Sequence, residues 1–259
     1  MLRSGDGGAT WESRNGAAGS SLDDMSAFSA VVVDPRNSNH IVVGGTIRGC
    51  STGSQLAGGL YTSTNGGQTW TPRITGVQVH EVVQDETNRD IWWAATEQGV
   101  YKSTNNAVSF TKQTASGLPS SGTGRTEIAV SPSNGNYVYA LFASGTGGGS
   151  DFWRTTNGGT SWTRMSSGGD ACDGQCWYNM TLAVHRTNPD IVYRGTILVF
   201  KSTNGGANWT ALINGWAARS RCIRTSTRSW SIPPLPINSM SAATVESGVR
   251  PMAARRSRT

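Results

Sequence analysis

Residues Ser63 to Trp70 read STNGGQTW, and the phrase returns as TTNGGTSW from Thr155 to Trp162 and as STNGGANW from Ser202 to Trp209. A fourth copy, SGDGGATW, runs from Ser4 to Trp11, and a worn fifth, STNNAVSF, from Ser103 to Phe110. The aromatic ends stand 59, 40, 52 and 47 residues apart. Repeats of that length point to stacked sheets or propeller blades rather than to helical hairpins.

The chemistry of the phrase is that of a turn. An Asn or Asp at its third position can hydrogen-bond backbone two residues on, and the two glycines that follow take a positive φ without steric cost. An apolar, alternating stretch precedes it (Gly59-Leu60-Tyr61-Thr62) and a Thr/Trp-rich one follows (Thr69-Trp70-Thr71), which is the pattern of a hairpin. The closing aromatic is expected to fold back as an apolar plug beside the turn. The structural set is therefore Ser4, Asp6, Gly8 and Trp11; Ser63, Asn65, Gly67 and Trp70; Ser103, Asn105 and Phe110; Thr155, Asn157, Gly159 and Trp162; and Ser202, Asn204, Gly206 and Trp209.

These phrases resemble the Asp-box, or BNR, repeat (Ser-x-Asp-x-Gly-x-Thr-Trp) of sialidases, family 74 xyloglucanases, Vps10/sortilin domains and photosystem-assembly propellers. The resemblance covers residues 1 to about 214. It implies a β-propeller, and it implies boxes on the blade periphery, away from any active site. Four copies carry Asn65, Asn105, Asn157 and Asn204 where the family has Asp, which keeps the acceptor and drops the charge. That favours a structural role for the box. By the same resemblance the chain is expected to work outside the cytoplasm, in an extracellular or periplasmic setting.

The strand pattern between boxes repeats too. The first unit has Ala30–Asp34, His40–Gly44 and Leu60–Tyr61; the second has Val79–Val83, Ile91–Ala95 and Val100–Lys102. The third has Glu127–Ser131, Tyr137–Leu141 and Phe152–Arg154; the fourth has Met180–Val184, Ile191–Arg194 and Val199–Lys201. Three strands, a box turn and a fourth strand make a propeller blade. The expected fold is all-β, a propeller of four-stranded blades with Asp-box turns, about four blades in an incomplete ring. Three regions follow: 1–29, the end of a partial blade with a connection; 30–214, the blades; and 215–259, an irregular Arg/Ser/Pro-rich tail.

Glycine is abundant (33 of 259 residues) and only 15% of residues are charged, as suits a turn-rich β protein. No stretch is long and apolar enough to span a bilayer. The start, MLRSGDGGATW, has no apolar core of an export signal and enters directly into a box, as if the chain began partway through a blade. The net charge of +6 is unevenly placed. Residues 211–259 hold eight Arg and one Glu, a net +7, so residues 1–210 carry −1. With no basic stripe on the body, no nucleic-acid partner is expected.

The tail also reads in a second way. With G/C-rich codons, shifting the frame from Arg221 onward yields VHPDQHALVVDPTTSNQLDVGRDGGV, the plan of Val31–Gly45 (VVVDPRNSNHIVVGG) followed by the approach to another box. Residues from about 215–222 onward are therefore expected to be an out-of-frame translation of a further blade.

Candidate functional residues lie at the starts of the first strands, which line the channel of a propeller. Trp177 and Tyr178 offer either a sugar-stacking platform or a plug between blades. His80, Glu81, Arg125 and Glu127 are either channel groups or solvated loop residues. Cys172 and Cys176, in CDGQC, suggest a short-loop disulfide, whereas zinc lacks a second Cys/His pair, so no metal is expected. No cofactor motif appears. Glycoside hydrolysis needs two carboxyl groups, or a Tyr nucleophile with an acid partner; Glu81, Glu127, Asp151 and Asp173 are scattered, and no Arg-Ile-Pro occurs. The leading expectation is an exported module that binds a glycan or a protein at the channel mouth. The alternatives are a glycoside hydrolase of the sialidase or xyloglucanase kind, with its active site incomplete in this chain, and an assembly or sorting scaffold.

Overall fold

A computed structural model describes residues 1–16, 22, 27–46, 58–114, 117–119, 123–143, 150–166 and 175–212. The Arg-rich tail with its out-of-frame reading, Cys172 and Asp173 lie outside these residues. Among the described residues the chain forms one two-stranded and four four-stranded antiparallel sheets. The two-stranded sheet pairs β1 (Leu2–Arg3) with β2 (Glu12–Ser13) around the first box. Blade 1 holds β3 (Ala27–Val33), β4 (Ile41–Thr46), β5 (Gly59–Ser63) and β6 (Thr71–Thr75). Blade 2 holds β7 (Val79–Gln84), β8 (Trp92–Thr96), β9 (Gly99–Ser103) and β10 (Thr111–Lys112). Blade 3 holds β11 (Thr126–Val130), β12 (Val138–Ala143), β13 (Ser150–Thr155) and β14 (Thr163–Ser166). Blade 4 holds β15 (Thr181–Val184), β16 (Val192–Gly195), β17 (Val199–Ser202) and β18 (Thr210–Ala211). Every sheet is a meander in chain order, and each later box joins a third strand to a fourth.

One side-chain ladder builds all five boxes. The leading Ser or Thr hydroxyl donates to the Asx Oδ1 at 2.8–2.9 Å and accepts the backbone N–H four residues on at 2.7–3.0 Å. The same Oδ1 accepts the N–H of the residue four further along at 2.9–3.0 Å. A hydroxyl can donate and accept at once, which is why the first position is Ser or Thr. Both residues after the Asx have positive φ, from 56° to 98°, and in the worn copy these are Asn106 and Ala107.

A second turn repeats between the first and second strands. Asn37, Asn88, Asn134 and Asn188 each accept, on Oδ1, the N–H two residues on at 3.0–3.1 Å. The carbonyl of that next residue (Asn39, Asp90, Asn136, Asp190) then takes the N–H of Gly66, Asn106, Gly158 or Gly205 in the box of the same blade at 2.8–3.0 Å. The sequence signal is Asn-x-Asn/Asp, present in all four blades.

The box aromatic does more than plug its own turn. It packs onto the preceding blade: the Trp70 indole donates to Arg14 O at 2.9 Å, Trp162 meets Trp93 edge-on at 6.0 Å, and Trp209 meets Phe152 edge-on at 4.9 Å. Apolar clusters accordingly fill the seams between neighbouring blades. A cation of the preceding blade also reaches the box-end turns of the next. Arg3 Nη1 donates to Gly66 O (3.4 Å), Lys102 Nζ to Gly158 O (2.6 Å) and Arg154 Nη1 to Asp190 Oδ1 (3.5 Å). All three stand immediately before a box. At the seam where that place is Thr62, Arg36 substitutes, bonding Asp90 Oδ1 at 2.8 Å and Asn106 Oδ1 at 3.3 Å.

Candidate functional site

The first strands of successive blades face one another across the interior. Ser29 Oγ in β3 bonds Val79 O of β7 at 2.5 Å, and Glu81 Oε2 in β7 accepts the N–H of Ile128 in β11 at 3.2 Å. These are the inner strands. In a meander, the boxes and the Asn-x-Asn/Asp turns gather at one end of the blades. The second-to-third turns and the entries to the inner strands gather at the other, where His80, Glu81, Arg125, Glu127, Trp177 and Tyr178 lie.

His80 sits at a register shift between Val79 and Glu81, the counterpart of Ser29 at the shift between Phe28 and Ala30. Such a bulge re-aims a side chain at the strand end. Glu127 is buried, 3% exposed, and pairs with Arg125 at 2.7 Å. The Arg125 Nε is buried and has no hydrogen-bond acceptor. Glu81 on β7 and Glu127 on β11 thus lie on two adjacent inner strands, with Arg125 immediately before β11. Asp151 does not join them: it pairs with Arg164 at 2.5 Å on the outer half of blade 3. The sequence reading missed the clamp beside this cluster, in which Gln78 donates to both oxygens of Glu97, from N at 3.1 Å and from Nε2 at 2.8 Å. Its only sequence signal is two polar residues at strand entries, which is too common to read.

Trp177 and Tyr178 occupy the turn that leads into β15, where the N–H of Tyr178 bonds Gln175 O at 2.9 Å. They are 53% and 57% exposed, with ring centroids 5.4 Å apart and planes at 47°. The neighbour that does enter the blade 3–blade 4 core is Cys176, fully buried and disulfide-bonded, with its partner outside the described residues. The turn is thereby anchored by its cysteine while the two rings face solvent.

Arg194 is a further unusual group in blade 4. Its register equivalents are Ala94 and Ala140, yet the residue is 7% exposed and its guanidinium carbon lies 4.9 Å from the Phe200 ring centroid and 4.6 Å from that of Trp209. Burial pulls its pKa down to about 10, and Nε and Nη1 lack acceptors. Two concave features among the described residues lie at the box end. A cleft of about 320 Å³ between blades 2 and 3 is lined by Asp85, Thr87, Lys102, Asn134 and Gly158. Its polar groups are already engaged, Lys102 with Gly158 O and Asp85 with Thr87 and Asn88, so it reads as seam structure rather than as a site. Burial also lowers the Lys102 pKa, against the pull of Asp85. Among the described residues no group of three His, Cys, Asp or Glu could hold a metal ion, and no helix is long and apolar enough to cross a membrane.

No protein-family model matches the chain. A xyloglucanase of Paenibacillus sp is 28% identical over 130 residues, which is 48% of this chain and 12% of that protein. An ancestral GH74 enzyme of known structure superposes with a TM-score of 0.54 at 25% identity, over 71% of this chain and 24% of its own. The chain has the β-propeller fold that these enzymes share. The GH74 xyloglucanase from Xanthomonas campestris gives a TM-score of 0.49 at 16% identity, over 71% and 29% of the two chains. This propeller chain thus spans 12% of the curated relative and about a quarter of the ancestral enzyme.

Proposed function

We propose that this propeller binds an extended glycan across the inner-strand end opposite the boxes, with Trp177 and Tyr178 as the stacking platform. The carrying observation is the exposure of both rings beside a neighbour, Cys176, that is buried and cross-linked. Two large rings held in water by an anchored turn carry an apolar hydration cost that stacking against a pyranose face relieves. Glu81, Arg125 and Glu127 supply donors and acceptors for sugar hydroxyls on the adjoining inner strands. The xyloglucanase likeness supports xyloglucan as the ligand class. A polymer of that kind and a disulfide both suit an extracellular or periplasmic setting.

Calorimetric titration of the full chain with a xyloglucan oligosaccharide tests this reading. Trp177→Ala is expected to weaken binding about tenfold or more, as loss of a central aromatic contact does. Unchanged affinity in Trp177→Ala and Tyr178→Ala would remove the platform. The second reading, glycoside hydrolysis, is favoured by the placement of Glu81 and Glu127 on neighbouring inner strands. Release of reducing ends that disappears in both Glu81→Gln and Glu127→Gln would select it. Capture of a protein ligand with no glycan affinity would select the scaffold.

A further inference from the structure

The seam between blades 1 and 2 departs from the next two seams in three places. Blade 1 has Thr62 where blades 2 and 3 have Lys102 and Arg154, and Val42 where they have Trp93 and Tyr139. The blade 2 box has Asn106 and Ala107 where the boxes of blades 3 and 4 have paired glycines. At the end of this seam lies a cavity of about 130 Å³, lined among others by His40, Thr62, Thr64 and Arg73 of blade 1 and by Asn106 and Ala107 of the next box. In the following seam Lys102 Nζ crosses the corresponding gap to Gly158 O at 2.6 Å. Thr62 is too short to cross, and its hydroxyl instead accepts the Nε–H of Arg73 at 2.8 Å.

No carboxylate lines this cavity. Among the described residues Arg73 has no ion-pair partner, and Nε is its one bonded nitrogen, so the Nη1–Nη2 edge is uncommitted. His40 is 5% exposed, with Nδ1 3.4 Å from Asp34 Oδ2 and its ring edge-on to Trp92 at 5.6 Å. With Nδ1 committed to a carboxylate, Nε2 is the nitrogen left for a ligand. Asn106 Oδ1 accepts from Trp92 Nε1 at 3.0 Å and from Arg36 Nη2 at 3.3 Å, which fixes the amide and leaves its NH2 to donate. Its φ of 56° would suit glycine, but glycine supplies no such donor. Asp34 and Asp90, beside the seam, are both held by Arg36, at 2.9 and 2.8 Å.

We propose that this cavity binds the oxyanion of a phosphate or sulfate group. The free edge of Arg73 grips two of its oxygens through parallel N–H bonds, and the Asn106 NH2 donates to a third. His40 Nε2 accepts from a protonated phosphate oxygen or, as imidazolium, donates to a bare one. The proposal is independent of the glycan reading, which concerns the other end of the blades.

Titration of the full chain with sodium phosphate, in chloride buffer at constant ionic strength, tests it. The Trp92 indole N–H, bonded to Asn106, is the NMR reporter. A saturable shift is expected, with a dissociation constant of about 1 mM or tighter. Arg73→Gln is expected to weaken binding about tenfold or more, and Arg73→Lys, which keeps the charge without the fork, to fall between. Both are checked for native fold by circular dichroism. Lys102→Gln, in the neighbouring seam, is expected to leave the affinity unchanged. Glucose 6-phosphate separates the sources of the group: equal or tighter binding assigns the head of a larger molecule, and exclusion assigns the free ion. Absence of a saturable shift overturns the proposal. So does binding that Lys102→Gln weakens as much as Arg73→Gln.

Discussion

Blades 2 and 3 build the same turn from different residues. Blade 3 uses Gly158 and Gly159 after its Asn, while blade 2 holds Asn106 and Ala107 at φ of 56° and 61°. The Ser/Thr–Asn ladder is the same in both to within a few tenths of an ångström. Glycine is therefore not what closes the turn. The difference lies in what the turn rests on. The blade 3 box sits on the Trp93 ring, whereas the blade 2 box packs in a cluster with Val42, the register equivalent of Trp93, and Leu60. Against the Trp93 ring the second position has no room for a Cβ; in the cluster with Val42 and Leu60 a methyl fits.

The comparison breaks first at the glycines that touch rings. Gly206→Ala combines a left-handed φ of 91° with a Cβ placed 2.0 Å from Phe152. It is expected to cost about 3 kcal/mol in the urea midpoint analysis, the sum of backbone strain and overpacking. A loss below about 1 kcal/mol would show that the ring moves aside freely and would dissolve the argument. Next in size, Asn157→Ala removes the acceptor that closes the ladder and is expected to cost about 1–2 kcal/mol by the same measurement. Asn157→Asp should be nearly silent, because Asp6 already makes these bonds in the first box. There the side-chain hydroxyl and backbone N–H of Thr10, then Ser4, draw the carboxyl down to about 2.

The seam that lacks a cation before its box sharpens the comparison through pH. Burial alone would raise the Asp34 carboxyl, but hydrogen bonds from Arg36, then Gln84 and His40, outweigh it and hold the group well below its usual 3.8. Asp34 and Asp90 in turn raise the Arg36 pKa. A depressed carboxyl contributes stability that is complete above its unfolded value and is lost as pH falls toward the native one. Stability is expected to decline from about pH 5 downward, and Asp34→Asn to flatten that slope while lowering stability at neutral pH. An unaltered slope would assign acid lability to another group. The smallest effect is expected at Ala107→Gly. Relief of a positive φ gains about 1 kcal/mol and loss of a buried methyl costs about 0.8 kcal/mol, so the midpoint should barely move.

Much of the fold was legible because blades repeat. The hydroxyl, the Asx and the two turn residues act within eight consecutive positions, so their chemistry can be read locally. The Asn-x-Asn/Asp turn was equally local and equally present, but it lacks an aromatic marker and reads in the sequence only as a polar turn. Strand edges were shifted by one to three residues: β3 starts at Ala27 rather than Ala30, because its bulge at Ser29 lets pairing continue past the apolar run. The site was legible only in part. That Glu81 and Glu127 share adjoining inner strands, and that Asp151 stands apart with Arg164, depends on blade order in space.

The sequence by itself determined the repeat, the meander and the place of each box between third and fourth strands, since these rest on backbone preferences a few residues long. Only the tertiary structure decided which neighbour each box touches. Why Ala107 can stand where Gly159 must depends on side chains about 65 residues away, Val42 and Trp93. Seams are filled by packing volume, which a local pattern does not encode.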